Sequence, residues 1–177
     1  MRGSVAQPGT ASAHGSTVVR LADAAETARV GAAIAAVLEG GMIVTLSGDL
    51  GAGKTTLVRG VLRARGIEGA IKSPTYALVE HYRVSSLYFY HVDFYRFADP
   101  DEWETAGLTE CFRDDAVCLI EWPERVANLL PPADIALSLA LEGHRDGRTL
   151  AARAFTAHGK RCVDAIVRAF SGATASS

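Results

Sequence analysis

The chain has 177 residues, 49% of them hydrophobic, and a formal net charge of −2. This suffices for one packed domain with short extensions and excludes a global basic field of the kind that draws proteins onto nucleic acid. No apolar run is long enough to cross a bilayer, and the first residues lack the apolar stretch of a secretory signal.

Residues 1–16 are rich in Gly, Ser, Ala and Pro and are expected to form a flexible tail, with Met1-Arg2-Gly3-Ser4 resembling an expression-tag remnant. The domain is then expected to run over 17–170, with 171–177 a second flexible tail. Thr17–Leu21 is a strand candidate. Asp23 and Glu26 have capping-box spacing and open a helix with Val30, Ile34, Val37 and Leu38 on one face, stopped by Gly40-Gly41. Met42–Leu46 is a buried strand, and Thr56–Leu62 starts the next helix, which Gly66 ends. Arg59, Arg63 and Arg65 on that helix are expected to be a solvated face.

Ile71–Thr75 reads as a loop, because Pro74 holds Ser73 extended. Tyr76–Tyr82 and Leu87–Tyr95 read as a hairpin of two strands. Asp99, Pro100 and Glu102 have the signature of a helix start, and that helix should run through Trp103 toward Phe112. Ala116–Ile120 is continuously apolar, as suits a strand covered on both faces. A short helix is expected from Trp122-Pro123 to Leu130. A second hairpin follows, with Ile135, Leu137, Leu139 and Leu141 alternating with smaller residues in a half-buried strand, a turn at Asp146-Gly147, and a strand over Arg148–Thr156. Lys160–Phe170 is the last helix, with Cys162, Ile166, Val167 and Phe170 inward. The three cysteines, Cys111, Cys118 and Cys162, form no C-x-x-C pair and lack metal-ligand spacing, which fits a reduced, cytosolic setting. Strands and helices alternating around the glycine-rich segment Gly48-Asp49-Leu50-Gly51-Ala52-Gly53-Lys54-Thr55 imply an α/β fold of the P-loop NTPase kind, with a mixed central sheet and helices on both faces.

The segment Gly48-Asp49-Leu50-Gly51-Ala52-Gly53-Lys54-Thr55 fits G-x-x-x-x-G-K-[ST] and lies between a strand and a helix, the context that this chemistry requires. Glycines let the backbone approach phosphate oxygens, and the loop N–H groups and the helix N-terminus supply partial positive charge. The expected phosphate cradle comprises Asp49, Leu50, Gly51, Ala52, Gly53, Lys54, Thr55 and Thr56. Within it Lys54 reaches the β- and γ-phosphates, and the Thr55 hydroxyl meets Mg²⁺. A second metal anchor should stand at the end of a neighbouring buried strand. Glu121 after Ala116–Ile120 fits best, and Asp93 in His91-Val92-Asp93-Phe94-Tyr95-Arg96 is the other candidate.

Four blocks in order carry a resemblance. They are Ser47–Thr56, Lys72-Ser73-Pro74-Thr75-Tyr76-Ala77-Leu78-Val79-Glu80, Tyr90–Arg96, and Leu119-Ile120-Glu121-Trp122-Pro123-Glu124. The sequence resembles the TsaE family, bacterial ATPases needed to make threonylcarbamoyladenosine in tRNA, roughly from Thr17 to Thr156. The resemblance implies ATP and Mg²⁺ as cofactors, weak hydrolysis alone, and dependence on the partners TsaB and TsaD, with tRNA involved indirectly and no membrane. It implies that Lys54, Asp93 and Glu121 carry catalysis, that Thr55 and Glu121 bind the metal, that Thr75 belongs to a switch segment near the γ-phosphate, and that Trp122 packs near the nucleotide. No Asn-Lys-x-Asp, Thr-Lys-x-Asp or Asp-x-x-Gly segment of a GTPase occurs. Two other readings stay open on the residues alone: a small-molecule kinase, which would need an Arg-rich lid that is not evident, and a nucleotide-gated scaffold without meaningful hydrolysis.

Overall fold

The computed structural model describes residues 14–98, 103, 106–143 and 147–171. Seven strands form one sheet: β1 (Gly15–Leu21), β2 (Ile43–Ser47), β3 (Val79–Val84), β4 (Leu87–Asp93), β5 (Ala116–Glu121), β6 (Ile135–Leu141) and β7 (Arg148–Ala154). The helices are α1 (Ala24–Ala35), α2 (Lys54–Ala64) and α3 (Ala157–Ser171). The sheet order is β1-β7-β6-β2-β5-β4-β3. The central strands β4, β5, β2 and β6 are mutually parallel, and β3 and β7 run antiparallel to their neighbours. This is the mixed α/β sheet that the two hairpins imply.

Alternation across each strand divides the core. Val44 and Leu46 of β2 and Val117 and Leu119 of β5 face the helix layer, where they pack with Val30, Ile34, Leu57, Val61 and Ile166. Ile43, Cys118, Ile120 and Val92 face the opposite layer, with Phe94, Leu108, Cys111 and Val126. Trp103, which is helical, stacks between Phe94 (5.9 Å) and Phe112 (6.0 Å) in that second layer. The expected helix start at Asp99, Pro100 and Glu102 lies outside the described residues. Leu108–Phe112 is a 3₁₀ turn, not a continuation of that helix.

α1 begins as its capping pattern dictates. Asp23 Oδ1 accepts the Glu26 N–H at 2.8 Å, and Glu26 reaches back to the Ala22 N–H at 2.7 Å. α1 and α2 cross closely because Gly31 and Gly60 face each other's helices. A Cβ on Gly31 would run into the Leu57 carbonyl and stand 2.8 Å from the Val61 nitrogen, and one on Gly60 would run into the Ala28 carbonyl. Since backbone cannot yield cheaply, Gly31→Ala is expected to cost roughly 1–3 kcal/mol. Thermal unfolding should register this as a drop of about 2–10 °C in Tm. An unchanged Tm would show that the helices separate freely.

Other segments also differ from expectation. Tyr76–Leu78 is a turn, not strand: Leu78 is left-handed (φ 65°) and its N–H donates to the Pro74 carbonyl at 2.7 Å. The helix expected after Trp122 shrinks to a 3₁₀ turn, Pro123–Arg125. Val167 is 37% exposed, because the buried stripe of α3 runs through Cys162, Val163 and Ile166, with Phe170 only partly covered. The turn residue Asp146 lies outside the described residues, although β6 and β7 pair antiparallel along their length. Cys111, Cys118 and Cys162 are buried free thiols. Burial pushes the Cys162 thiol up to about 12, and the Cys118 thiol, which donates a hydrogen bond to the Cys111 carbonyl, is also raised.

Candidate functional site

The site sits where parallel strands end. In the register of the sheet Glu121 lies beside Leu46 of β2 on one side and beside Asp93 of β4 on the other. The carboxylates at the ends of β4 and β5 therefore arrive next to the loop that leaves β2. That placement, in the crevice at the carboxyl ends of the strands, is the usual ligand position in open α/β sheets.

The loop itself spans residues 48–53. Gly48, Gly51 and Gly53 all have positive φ (131°, 81° and 109°). Gly53 is the N-cap of α2 and contributes no side chain, so the first-turn N–H groups of α2 are left to an external acceptor. A side chain at Gly53 would also meet Arg148 Nη1 at 2.6 Å and Thr27 Cγ2 at 3.3 Å. Arg148 is thus a buried cation packed against the back of the loop. Ala52 is fully buried, and its N–H donates to the Asp49 carbonyl at 3.1 Å.

A cavity of about 460 Å³ opens in front of the loop, lined by Leu50, Gly51, Gly53, Lys54, Thr55 and Thr56 from the loop side. Ser73, Thr75, Asp93, Tyr95, Arg96, Glu121 and Trp122 form the rest of its wall. Every expected site residue except Asp49 and Ala52 lines this one cavity, and Asp49 supports it through its backbone. Ser73, Tyr95 and Arg96 are wall residues to which the sequence reading gave no individual role. Arg96 is exposed, lies over the Tyr76 ring at 4.2 Å, and donates to its hydroxyl at 3.3 Å.

Lys54 is only 4% exposed. Its ammonium donates to the carbonyls of Gly48 (2.5 Å) and Asp49 (2.9 Å) and lies 4.0 Å from the Trp122 ring centroid. Burial lowers the Lys54 pKa from its ordinary value, while the carboxylates of Glu121 and Asp93 act to raise it. Trp122 is presented this way by a left-handed backbone (φ 59°), a conformation costly for a bulky residue and found mostly where the surroundings enforce it. Its backbone N–H donates to the Leu46 carbonyl at 3.1 Å, which ties the residue to the end of β2.

The two acidic residues are held differently. Glu121 Oε1 accepts the Thr55 hydroxyl at 2.8 Å and stands 2.7 Å from His91 Nε2. Asp93 holds the segment before β3: its Oδ2 accepts the Thr75 hydroxyl at 2.8 Å, and its Oδ1 accepts the Tyr95 N–H at 2.9 Å. Ser73 and Thr75 hydroxyls are also bonded, at 2.8 Å. Asp93 therefore organises the Ser73–Thr75 segment, while Glu121 is coupled to the first turn of α2. His91 is a site residue that sequence reasoning quoted but gave no role. Its signal was the period of two, which puts His91 and Asp93 on one face of β4.

The donor set suits a magnesium–phosphate group. It combines a left-handed glycine loop, unfilled N–H groups at a helix start, one buried ammonium, and a hydroxyl–carboxylate pair at their foot.

A model of the family described as threonylcarbamoyl adenosine biosynthesis protein TsaE matches residues 21–150. The chain belongs to the TsaE family. The matched span contains every candidate site residue from Asp49 to Trp122. The tRNA threonylcarbamoyladenosine biosynthesis protein TsaE of Haemophilus influenzae is 46% identical over 127 residues, 72% of this chain and 79% of that protein. The protein of the same name from Bacillus subtilis is 38% identical over 136 residues, 77% of this chain and 82% of that one. The crystal structure of Bacillus subtilis YdiB aligns with a TM-score of 0.71 at 27% identity, covering 87% of this chain and 95% of that chain. Among the described residues no helix is long and apolar enough to cross a membrane.

Proposed function

We propose that this TsaE-family chain binds and hydrolyses Mg·ATP and acts, with homologues of TsaB and TsaD, in the formation of threonylcarbamoyladenosine in tRNA. The relatives' names support the pathway. The observation that carries the chemistry is the Thr55 hydroxyl donating to Glu121 at 2.8 Å beneath a glycine loop. The hydroxyl proton goes to the carboxylate, which leaves the Thr55 oxygen lone pairs free to face a cation.

Residues 48–53 and the first turn of α2 would hold the phosphate chain, with Lys54 turning from the Gly48 and Asp49 carbonyls toward it. Thr55 and Glu121 would hold Mg²⁺, and the metal would supply charge neutralisation on the phosphates. Thr75 and Ser73, held by Asp93, would stand at the terminal phosphate and orient water there. ATP rather than GTP is favoured by the lack of a guanine-reading segment.

The test is steady-state phosphate release by the purified protein, alone and with TsaB and TsaD homologues. Turnover alone is expected to be far below one per second and to rise about tenfold or more in the complex, because transition-state charge is often completed in trans. A rate on the order of ten per second alone, ordinary for a self-sufficient enzyme, would overturn partner dependence. Release of no phosphate under any condition would favour a scaffold.

A further inference from the structure

We infer that His91 is a positioning residue, which fixes the metal-binding carboxylate of Glu121 from behind. The inference rests on the Mg·nucleotide reading above and deepens it.

His91 lies on β4 beside Leu119 of β5, one alternation before the Asp93–Glu121 pair, so its ring shares a sheet face with both carboxylates. It is completely buried, and Glu121 is 2% exposed. Nε2 stands 2.7 Å from Glu121 Oε1, the oxygen that also takes the Thr55 hydroxyl. Among the described residues Nδ1 is buried with no hydrogen-bond partner. A histidine kept only to fill core space would be expected to satisfy both nitrogens or to give way to an apolar residue. Here the ring makes one polar contact, and that contact is to Glu121.

The consequence is geometric. A glutamate side chain has three rotatable bonds, and a carboxylate held by one hydroxyl alone can swing. Two donors converging on Oε1 from different elements, Thr55 from α2 and His91 from β4, fix the orientation of the carboxylate. They leave Oε2 as the oxygen without a protein donor among the described residues. His91 does not touch the nucleotide; it acts through Glu121. Outer partners that orient a metal ligand in this way commonly change metal affinity by about 10- to 100-fold when removed.

Two substitutions separate this role from mere packing. The side-chain amide of His91→Gln can place an N–H where Nε2 stands, whereas that of His91→Asn is too short to reach Glu121. Binding of a fluorescent ATP analogue is followed first in EDTA and then as Mg²⁺ is added, with circular dichroism melts to show that each variant is folded. His91→Asn should raise the Mg²⁺ midpoint by about 10- to 100-fold, His91→Gln should stay within about threefold of wild type, and affinity in EDTA should change less than about twofold in both. Equal midpoints for the two folded variants, or an unshifted midpoint in His91→Asn, overturn the inference.

The wild-type protein gives a readout that no variant can spoil by unfolding. Its ring ¹⁵N spectrum should show His91 with the proton on Nε2 and a bare Nδ1, and a proton on Nδ1 alone overturns the inference. Nucleotide binding by wild type that is indifferent to Mg²⁺ would instead strike the metal reading itself, and this is seen before any variant is made.

Discussion

Lys54→Ala is expected to weaken ATP binding by about 10- to 150-fold, the equivalent of the roughly 1.5–3 kcal/mol that a hydrogen bond to a charged group contributes. The ammonium is the cation of the glycine loop that faces the cavity, and its hydrogen-bond acceptors among the described residues are the two loop carbonyls of Gly48 and Asp49. Moving it onto a phosphate exchanges neutral acceptors for charged ones, and such charge-assisted bonds are about twice as strong. The same substitution removes the cation over the Trp122 ring. In a Trp103→Phe background, Trp122 emission should therefore change even before nucleotide is added. Calorimetric titration of ATP into wild type and variant measures the first effect, and the fluorescence spectrum the second. Equal ATP affinities would remove Lys54 from the site and leave the glycine loop as a plain turn.

The largest effect on turnover is expected at Glu121. Glu121→Gln keeps the shape and an acceptor for the Thr55 hydroxyl but removes the negative charge. Partner-stimulated phosphate release should fall roughly 100- to 1,000-fold, since metal-borne charge stabilisation is worth several kcal/mol. Affinity for ATP in EDTA should hold or rise slightly, because a carboxylate beside a polyphosphate repels it. The opposite pattern, with turnover kept and metal-free binding lost, would mean that Glu121 supports the loop and not the cation. The two substitutions would thus pull apart what the cavity combines: on the proposed reading, loss of Lys54 weakens phosphate binding with or without metal, whereas loss of the Glu121 charge tells mainly where the metal is needed.

Sequence was most informative where structure is local. The phosphate loop was legible because glycine placement, the preceding apolar strand and the following amphipathic helix all lie within about twenty residues and none needs a distant partner. The cap of α1 was legible for the same reason, as Asp23 and Glu26 satisfy backbone groups within one turn. β5 stood out because it is apolar at successive positions, and it is indeed buried along its whole length between β2 and β4. Local signals failed where a neighbour outvoted them. Tyr76 and Leu78 have strand-forming side chains, yet Pro74 and a left-handed Leu78 close a turn that brings Thr75 onto Asp93. The run after Trp122 has helix formers, yet it begins with a strained residue followed by proline and makes only a 3₁₀ turn.

The sequence by itself determined which groups suited to a phosphate this protein carries and the order in which they leave their strands, because those depend on residue type and short spacing. Only the tertiary structure decided which of them meet. Parallel pairing of β5 with β2 and β4 sets Glu121 beside both the loop and Asp93. The same pairing turns His91 onto Glu121, while β7 brings Arg148 behind Gly53 and the turn after β4 sets Arg96 in the cavity wall. The physical reason is strand register: a shift of one residue would send the side chains of His91, Asp93, Glu121 and Arg148 to the other face of the sheet, and register is fixed by burial over the whole domain and by no short segment of the chain.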